Sequence, residues 1–457
     1  MYSIHTFLLQ KELFRSPEPV KTTVVSSFTD TPALQQIARQ ADSDYILFYT
    51  GTSPIELHPY AIGRMYQIAE SNDGALFYSD YQEIRQGKKI HHPTLEYQTG
   101  SIRNDFDFGQ LLLFRNDSFQ QVVAQMNTDY RFAALYELRL SISRLGKIVH
   151  IPETLYTVQP TDLRLSGEKQ FDYVDPANRE VQLEMEAVCT AHLQAIGAWL
   201  APEFQRIDFG QENFAREASV IIPVRNRKRT IAEAVESALQ QQTDFSFNVI
   251  VVDNHSTDST GQILTELSRR YPNLIHHIPA STELGIGGCW TEAILLPECG
   301  KFAIQLDSDD LYKDCHVLQR IVDTFYQENC AMVIGSYQMV DFKLEEIPPG
   351  LIAHREWTPD NGRNNALRIN GLGAPRAVYT PVLRQIKFPN VSYGEDYATA
   401  LAISRKYPIA RIYDPLYLCR RWEENSDHDL DIQQLNNYNF YKDKIRTLEI
   451  QARISGK

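Results

Sequence analysis

The chain has no apolar run approaching the ~20 residues that a membrane-crossing helix needs. Cysteine is scarce: six in 457 residues, at 189, 289, 299, 315, 330 and 419, with no Cys-x-x-Cys pair. Thiols this sparse and unpaired read as reduced structural cysteines of a cytosolic protein. Positive charge is also short, with 45 Lys and Arg against 58 Asp and Glu, a net charge of −13 and a pI near 5.4. That balance argues against a nucleic-acid backbone or an anionic membrane as the main partner, because both attract clustered cations. The opening Met1–Gln10 lacks the basic leader and the apolar length of a signal peptide. Val224-Arg225-Asn226-Arg227-Lys228 contains no glycine. A phosphate-cradling loop or a Gly-x-Gly-x-x-Gly dinucleotide turn would want one there.

What the chain does have is the composition of a globular protein, 43% hydrophobic and 23% charged, at a length that implies two or three domains. It also has an internal repeat. Tyr45-Ile46-Leu47-Phe48-Tyr49 followed by Thr50-Gly51-Thr52-Ser53 parallels Phe302-Ala303-Ile304-Gln305-Leu306 followed by Asp307-Ser308-Asp309-Asp310. Tyr78–Gln82 parallels Ile334–Gln338, Tyr136–Arg144 parallels Tyr397–Arg405, and Pro152–Tyr156 parallels Tyr413–Tyr417. The four blocks keep one order and a near-constant offset, which points to duplication. Either version of the first block serves as a turn after a strand. Only the second supplies the clustered hard oxygens that a divalent cation needs.

The second copy opens with Ala218–Pro223, a buried-strand pattern. A helix near Thr230–Gln241, a strand at Asn248–Val252, a helix near Ser259–Arg270 and a strand near Leu274–Ile278 follow. Such alternation implies a parallel sheet covered on both faces. The first copy has little room for that opening and reads as truncated. Between the copies, Asp175-Pro176 is a helix start, and Val181, Met185, Val188, Ala191, Ala195, Ile196 and Trp199 form an apolar stripe. These place a helix over roughly 170–201. The tail Asn436–Lys457 is charged and reads as helical.

In a parallel sheet, ligands sit beyond the carboxyl ends of the strands. Backbone groups of Pro223, Val224 and Asn226 fall there, as does Asp253, whose carboxylate can accept from a base N–H or from ribose hydroxyls. Asp258 or Ser256 suits a helix cap. Asp310 fits equally a metal role or a cap on a helix starting near Leu311. Asn370-Gly371-Leu372-Gly373-Ala374-Pro375 is a small-residue loop where backbone can approach a ligand, or an ordinary turn. The pairs His91-His92 and His276-His277 are poor metal sites, because neighbours on a strand face opposite ways.

Ile-Pro-Val-x-Asn-Arg at one strand end, Val-Asp-Asn-x-Ser-Thr-Asp-Ser-Thr at the next and Leu-Asp-Ser-Asp-Asp about fifty residues on together resemble family 2 glycosyltransferases over roughly residues 217–430. The resemblance implies an α/β chain with the GT-A nucleotide-diphospho-sugar transferase fold, a Rossmann-like, mostly parallel sheet. It further implies a degenerate GT-A-like domain at 1–165, a helical connector at 166–216, the catalytic domain at 217–430 and a C-terminal helix at 431–457. The implied reaction is inverting transfer of a sugar from a nucleotide-diphosphate donor, UDP- before GDP-linked, to a glycan or lipid-linked acceptor. Mn²⁺ or Mg²⁺ would be held by Asp307, Asp309 and His428, with Asp307 and Ser308 also on the donor. Asp396 is the implied general base, Glu395 its neighbour on the acceptor side, and Gly371 and Gly373 border the acceptor. Ala134-Leu135 stands over Glu395-Asp396 in the first copy, so folding does not require that acidic helix start.

Two departures stand out. Gly287-Gly288-Cys289-Trp290 replaces the family's Ala-Arg-Asn, which puts Trp290 where an arginine meets the nucleotide, so that either base recognition differs or Trp290 stacks on the base. Leu418 stands where processive synthases have the glutamine of Gln-x-x-Arg-Trp, although Arg421-Trp422 is present, so polymer extrusion is not expected. A cytoplasmic location, peripheral contact with the inner face of the cell membrane, and self-association complete the expectations, with no nucleic-acid partner. The alternatives are a non-catalytic glycan-binding or scaffold protein derived from such an enzyme, or a nucleotidylyltransferase on a related fold. The second copy, however, keeps every carboxylate that decay would be free to lose.

Overall fold

A computed structural model describes residues 2–159, 178–210, 212–422 and 430–456. The chain forms two compact units, one of Met1–Trp199, Leu367–Ile369 and Leu430–Lys457, the other of Leu200–Ala366 and Asn370–Asp429. The first unit runs β1 (Ile4–Leu8), β2 (Phe14–Arg15), β3 (Lys21–Val24), α1 (Thr31–Gln40), β4 (Tyr45–Tyr49), β5 (Ile55–Leu57), α2 (Ala61–Glu70), β6 (Gly74–Arg85) and β7 (Lys88–His92). It continues with β8 (Leu111–Arg115), α3 (Asn116–Val123), α4 (Ala134–Leu145), β9 (Lys147–Val158) and α5 (Arg179–Ala195).

The second unit runs β10 (Ala218–Val224), α6 (Ile231–Leu239), β11 (Phe247–Asp253), α7 (Thr260–Arg270), β12 (Leu274–His277), α8 (Ile286–Leu295), β13 (Phe302–Gln305), β14 (Leu311–Tyr312) and α9 (Val317–Glu328). It ends with β15 (Met332–Val340), β16 (Glu346–Ile352), α10 (Gly362–Asn365), β17 (Arg376–Tyr379), α11 (Thr380–Ile386), α12 (Glu395–Ser404) and β18 (Ile409–Arg420). Helix α13 (Ile432–Ile454) is part of the first unit.

Local chemistry accounts for the elements. Asp30 caps α1 by accepting the Ala33 N–H at 2.8 Å, with Pro32 in the first turn. β4 is buried throughout, with Ile46 and Phe48 in one apolar cluster and Tyr45, Leu47 and Tyr49 in another. That division is the two-residue alternation of a strand covered on both faces. In α9, Val317, Leu318, Ile321, Val322 and Phe325 make one buried stripe.

The strand orders are β3-β1-β4-β8-β6-β9-β5-β2 and β12-β11-β10-β13-β17-β15-β18-β14, with β7 added to β6 and β16 to β15. Set β4 on β13, and every pairing from β3–β1 to β9–β5 matches its counterpart in the second sheet in direction, parallel for parallel and antiparallel for antiparallel. The irregularities match as well. The β6–β9 ladder slips around Asp80, which pairs with Thr154, before resuming at Tyr81 with Tyr156. The β15–β18 ladder slips around Ser336, paired with Pro415, before resuming at Tyr337 with Tyr417. A conserved strand order can arise from general packing rules, but a shared bulge in the same register is much more specific to common descent. Both sheets are mixed rather than mostly parallel. The truncation of the first copy is narrower than expected: β1 and β3 take the places of β10 and β11. Among the described residues it lacks a counterpart of β12, and in place of an α-helix between β1 and β3 it has a 3-10 turn at Lys11–Leu13 and the short β2.

The first copy's strand end is filled. The Tyr49 hydroxyl donates to the Ser53 carbonyl, the Tyr156 hydroxyl accepts the Gln110 N–H at 2.8 Å, and Tyr81 stacks on Tyr156 at 5.4 Å. Tyr81 and Tyr156 lie over Tyr337 and Tyr417 of the second copy, so the difference between the copies is the neutral Thr50–Ser53 turn in place of Asp307–Asp310.

Two helices differ from expectation in detail. In α5 the buried face carries Gln182, Val188, Cys189, His192 and Leu193, with Ala191 and Ala195 exposed, and Asp175-Pro176 lies outside the described residues. In α13 the charges are inside the first unit. Arg446 donates to Asp443 at 2.7 Å, Arg103 donates to the same carboxylate at 3.2 Å, and Arg453 donates to Glu449 at 2.8 Å.

His92 stacks on Tyr81, with Nε2 2.8 Å from Asp107 and Nδ1 3.5 Å from Glu83. Burial alone would lower its pKa, but the two carboxylates outweigh burial and push it up to about 9. The folded value lies above the unfolded one, so this stabilisation is complete below the unfolded pKa and is lost as pH rises through about 9. Thermal unfolding between pH 6 and 9.5 should show wild type losing stability toward the alkaline end, with a flatter profile for His92→Gln. Parallel profiles would contradict the assignment.

Candidate active site

β10, β11 and β13 are parallel, so their carboxyl ends share one edge. Val224 is buried beneath that edge and Pro223 is partly exposed on it. Asn226 follows in the left-handed region (φ 54°). Its side-chain oxygen accepts the Thr257 N–H at 2.7 Å, and its own N–H donates to the Ser256 hydroxyl at 2.9 Å. The side chain thus ties two loops together and leaves the loop backbone to face a ligand. Asp258 accepts the Thr260 N–H at 2.9 Å, at the start of α7.

Asp307 donates its N–H to the Tyr417 hydroxyl at 2.9 Å, and the Gln305 amide donates to both of its carboxylate oxygens at 2.9 and 3.1 Å. Burial pushes its pKa up. Asp309 Oδ2 accepts the Trp422 indole N–H at 3.1 Å and lies 4.0 Å from Arg227 Nε. Ser308 is buried between the two aspartates. Asp310 is a correction: Leu311 starts the short strand β14, not a helix, and the Asp310 carboxylate accepts the Arg420 N–H at 2.7 Å. Burial and then the charges of Asp309 and Asp307 raise its pKa well above the usual carboxylate range. A hard divalent cation fits this donor set, since crowded, desolvated carboxylates are relieved by it. Among the described residues no group of three His, Cys, Asp or Glu forms a ready cage, and His428 lies outside them.

Glu395 and Asp396 open α12 after Gly394, which takes the left-handed conformation (φ 79°). Asp396 Oδ2 lies 2.6 Å from Arg376 Nη1, which also donates to the Gly373 carbonyl at 2.9 Å. Burial would lower the Arg376 pKa, but Asp396, Asp307 and Glu395 together hold it above its ordinary value. One guanidinium therefore feels both the strand-end carboxylate and the helix-start pair. Burial, then the charge of Asp396, pushes Glu395 up to about 8, and its Oε2 has no hydrogen-bond partner. Glu395 therefore holds its proton more tightly than an ordinary carboxyl, beside Asp396. Gly373 (φ +98°) is packed: an added Cβ would sit 2.9 Å from His354 Cδ2. Gly371 is partly exposed in the same loop.

Trp290 is the second correction. Its ring is 7% exposed and packs on Phe388 at 5.3 Å, which leaves no face for a base. The glycines before it explain the departure from Ala-Arg-Asn. An added Cβ on Gly287 would stand 2.0 Å from the Pro389 carbonyl oxygen, and on Gly288 2.2 Å from Asn390 Oδ1. The Gly287 N–H donates to the Val391 carbonyl at 2.9 Å. Helix α8 thus docks by its bare backbone on the segment that leads into α12. Gly287→Ala should push that segment away, costing about 1–3 kcal/mol of stability and slowing transfer about 10²-fold through misplacement of Asp396. Unchanged transfer rate and melting temperature would refute the docking role.

Sequence reasoning missed Arg376, Gln305, Tyr417 and Trp422. A signal existed for the first two: an arginine and a glutamine inside otherwise apolar strands, beside carboxylates.

The fold and this edge define an α/β transferase domain of the GT-A type. Residues 219–384 match the model described as "Glycosyl transferase family 2", and the second unit carries a family 2 glycosyltransferase domain. An uncharacterized glycosyltransferase of Nostoc sp. is 32% identical over 27% of this chain and 37% of its own. The poly(ribitol-phosphate) beta-glucosyltransferase of Bacillus spizizenii is 24% identical over 49% of this chain and 35% of its own. The chain thus spans little more than a third of the length of either curated relative. The crystal structure of S. aureus TarS 1-349 in complex with UDP-GlcNAc is 23% identical with a TM-score of 0.40, covering 52% of this chain and 72% of that one. Among the described residues no helix is long and apolar enough to cross a membrane.

Proposed function

We propose that the protein is an inverting glycosyltransferase that moves one sugar from a nucleotide-diphosphate donor to a hydroxyl of a glycan or lipid-linked acceptor. The observation that carries the reading is Arg376, whose guanidinium interacts with Asp307 on the donor side and with Asp396 and Glu395 on the other. It marks the point where a donor on the strand edge and an acceptor at the head of α12 would meet.

Asp307 and Asp309 would hold Mn²⁺ or Mg²⁺. When bound, the ion would supply Lewis-acid stabilisation of the charge growing on the leaving diphosphate. Asp396 takes the proton of the acceptor hydroxyl as its oxygen bonds to the anomeric carbon. The bond from that carbon to the diphosphate oxygen breaks on the opposite face, and the electron pair leaves with the diphosphate. Arg376 fixes the Asp396 carboxylate while this happens. Glu395, beside Asp396, holds an acceptor hydroxyl or supports the base. The neutral Thr50–Ser53 turn of the first unit, in place of Asp307–Asp310, argues that it serves as scaffold or acceptor platform. Cytoplasmic location, peripheral membrane contact and self-association remain part of the proposal.

The test is calorimetric titration of UDP, then GDP, with and without Mn²⁺, followed by transfer from the matching sugar nucleotide. Metal-enhanced binding of one nucleotide is expected. A folded protein that binds neither would overturn the reading in favour of a non-catalytic scaffold.

A further inference from the structure

Asp253 ends β11 at the wall of a cavity of about 770 Å³ between the following loop, α7 and the end of β12. Its side chain is buried, with the whole residue 2% exposed. Oδ1 accepts the Ser256 N–H at 3.0 Å, and Oδ2 lies 3.2 Å from His276 Nε2. Burial would raise the Asp253 pKa, but the hydrogen bonds from His276 and Ser256 outweigh it and leave it lowered. An ionised carboxylate only accepts, so the hydrogen in the second contact belongs to His276 Nε2. Each carboxylate oxygen keeps a second lone pair. Gly261 on α7 leaves room around Oδ2, because a Cβ there would stand only 3.1 Å from it.

We propose that His276 is a positioning residue for nucleobase recognition: its Nε2–H holds Asp253 as an accept-only group on the cavity wall, so the cavity takes a base offering a ring N–H and rejects one offering a bare ring nitrogen. This rests on the nucleotide-sugar reading above. Uracil and cytosine make the sharpest comparison, being equal in size but opposite at N3, a donor in uracil and an acceptor in cytosine. Without its histidine partner, Asp253 is protonated more readily. A protonated carboxyl can no longer accept from uracil N3–H but can donate to cytosine N3. Other charged or titratable groups face the pair, namely His255 and Asp258 from the loop and Glu266 and Arg269 from α7. They are common to all the variants compared, so differences between variants isolate Asp253.

The experiment titrates UDP and CDP, with Mn²⁺, into wild type, His276→Leu and His276→Gln at pH 5.5 and 8.0. Wild type should prefer UDP about thirtyfold or more at both pH values. In His276→Leu that ratio should collapse about tenfold at pH 5.5 and largely recover at pH 8.0. His276→Gln, whose amide can donate, should keep the wild-type ratio. A His276→Leu protein with the wild-type ratio at both pH values would overturn the proposal, as would wild type binding UDP and CDP alike. If His276→Leu fails to fold, UDP methylated at N3 decides with wild type: loss of binding supports the N–H reading, and retained binding overturns it. If GDP alone binds, GDP methylated at N1 takes the place of the N3-methylated UDP, with the same two outcomes; wild type binding none of UDP, CDP and GDP would instead defeat the donor reading itself, a distinct result.

Discussion

Asp396→Asn should lower sugar transfer about 10²–10⁴-fold, the range expected for loss of a general base, with nucleotide affinity within about twofold of wild type. The asparagine oxygen can still accept from Arg376, 2.6 Å from the native carboxylate, so the loop and helix start keep their shape. What disappears is the proton acceptor. The separation of effects is the point of the experiment, because a merely structural role would disturb stability as well as rate. A folded Asp396→Asn enzyme with near wild-type transfer would remove Asp396 from the mechanism and turn attention to its neighbours.

Asp309→Ala should abolish the metal dependence of nucleotide binding and weaken binding in Mn²⁺ about 10²-fold, since a ligated cation stabilises diphosphate charge by several kcal/mol. Binding without metal should change little. The variant carries its own optical control. Trp422 donates its indole N–H to Asp309, so Mn²⁺ and nucleotide should alter tryptophan emission in wild type and not in Asp309→Ala or Trp422→Phe. Metal-enhanced binding that survives in Asp309→Ala would place the cation elsewhere.

The repeat was legible because strands record their neighbours. Tyr45–Tyr49 and Phe302–Leu306 are buried on both faces, and that demand shows in the letters. Asp307, Asp309 and Asp396 stood out for the opposite reason, as acids at strand and helix ends where no packing calls for them, and their roles are what the experiments above test. The cap alternative for Asp310 falls because Leu311 starts β14, which pairs with β18, and not a helix. Trp290 was misread because a substitution in a motif invites a substitute function. The two glycines before it, bare for contact with Pro389 and Asn390, were the more telling letters. Arg376 left a trace in the letters, but its partner Asp396, like the partner Asp253 of His276, could be seen only in three dimensions, since each lies twenty or more positions away.

Helix α13 has a consequence for how the protein is made. Its charges are interior parts of the first unit, which therefore consists of both ends of the described chain, with the transferase unit inserted between them. During synthesis the first unit waits, incomplete, while the residues of the second are added, an interval of roughly 10–50 s at ordinary elongation rates. The second unit can fold once its own residues have emerged; the first unit cannot close until α13 has emerged as well. A ribosome-bound chain ending at Asp429, followed by a flexible linker long enough to clear the exit tunnel, should thus carry a transferase unit resistant to protease and a first unit still open to it.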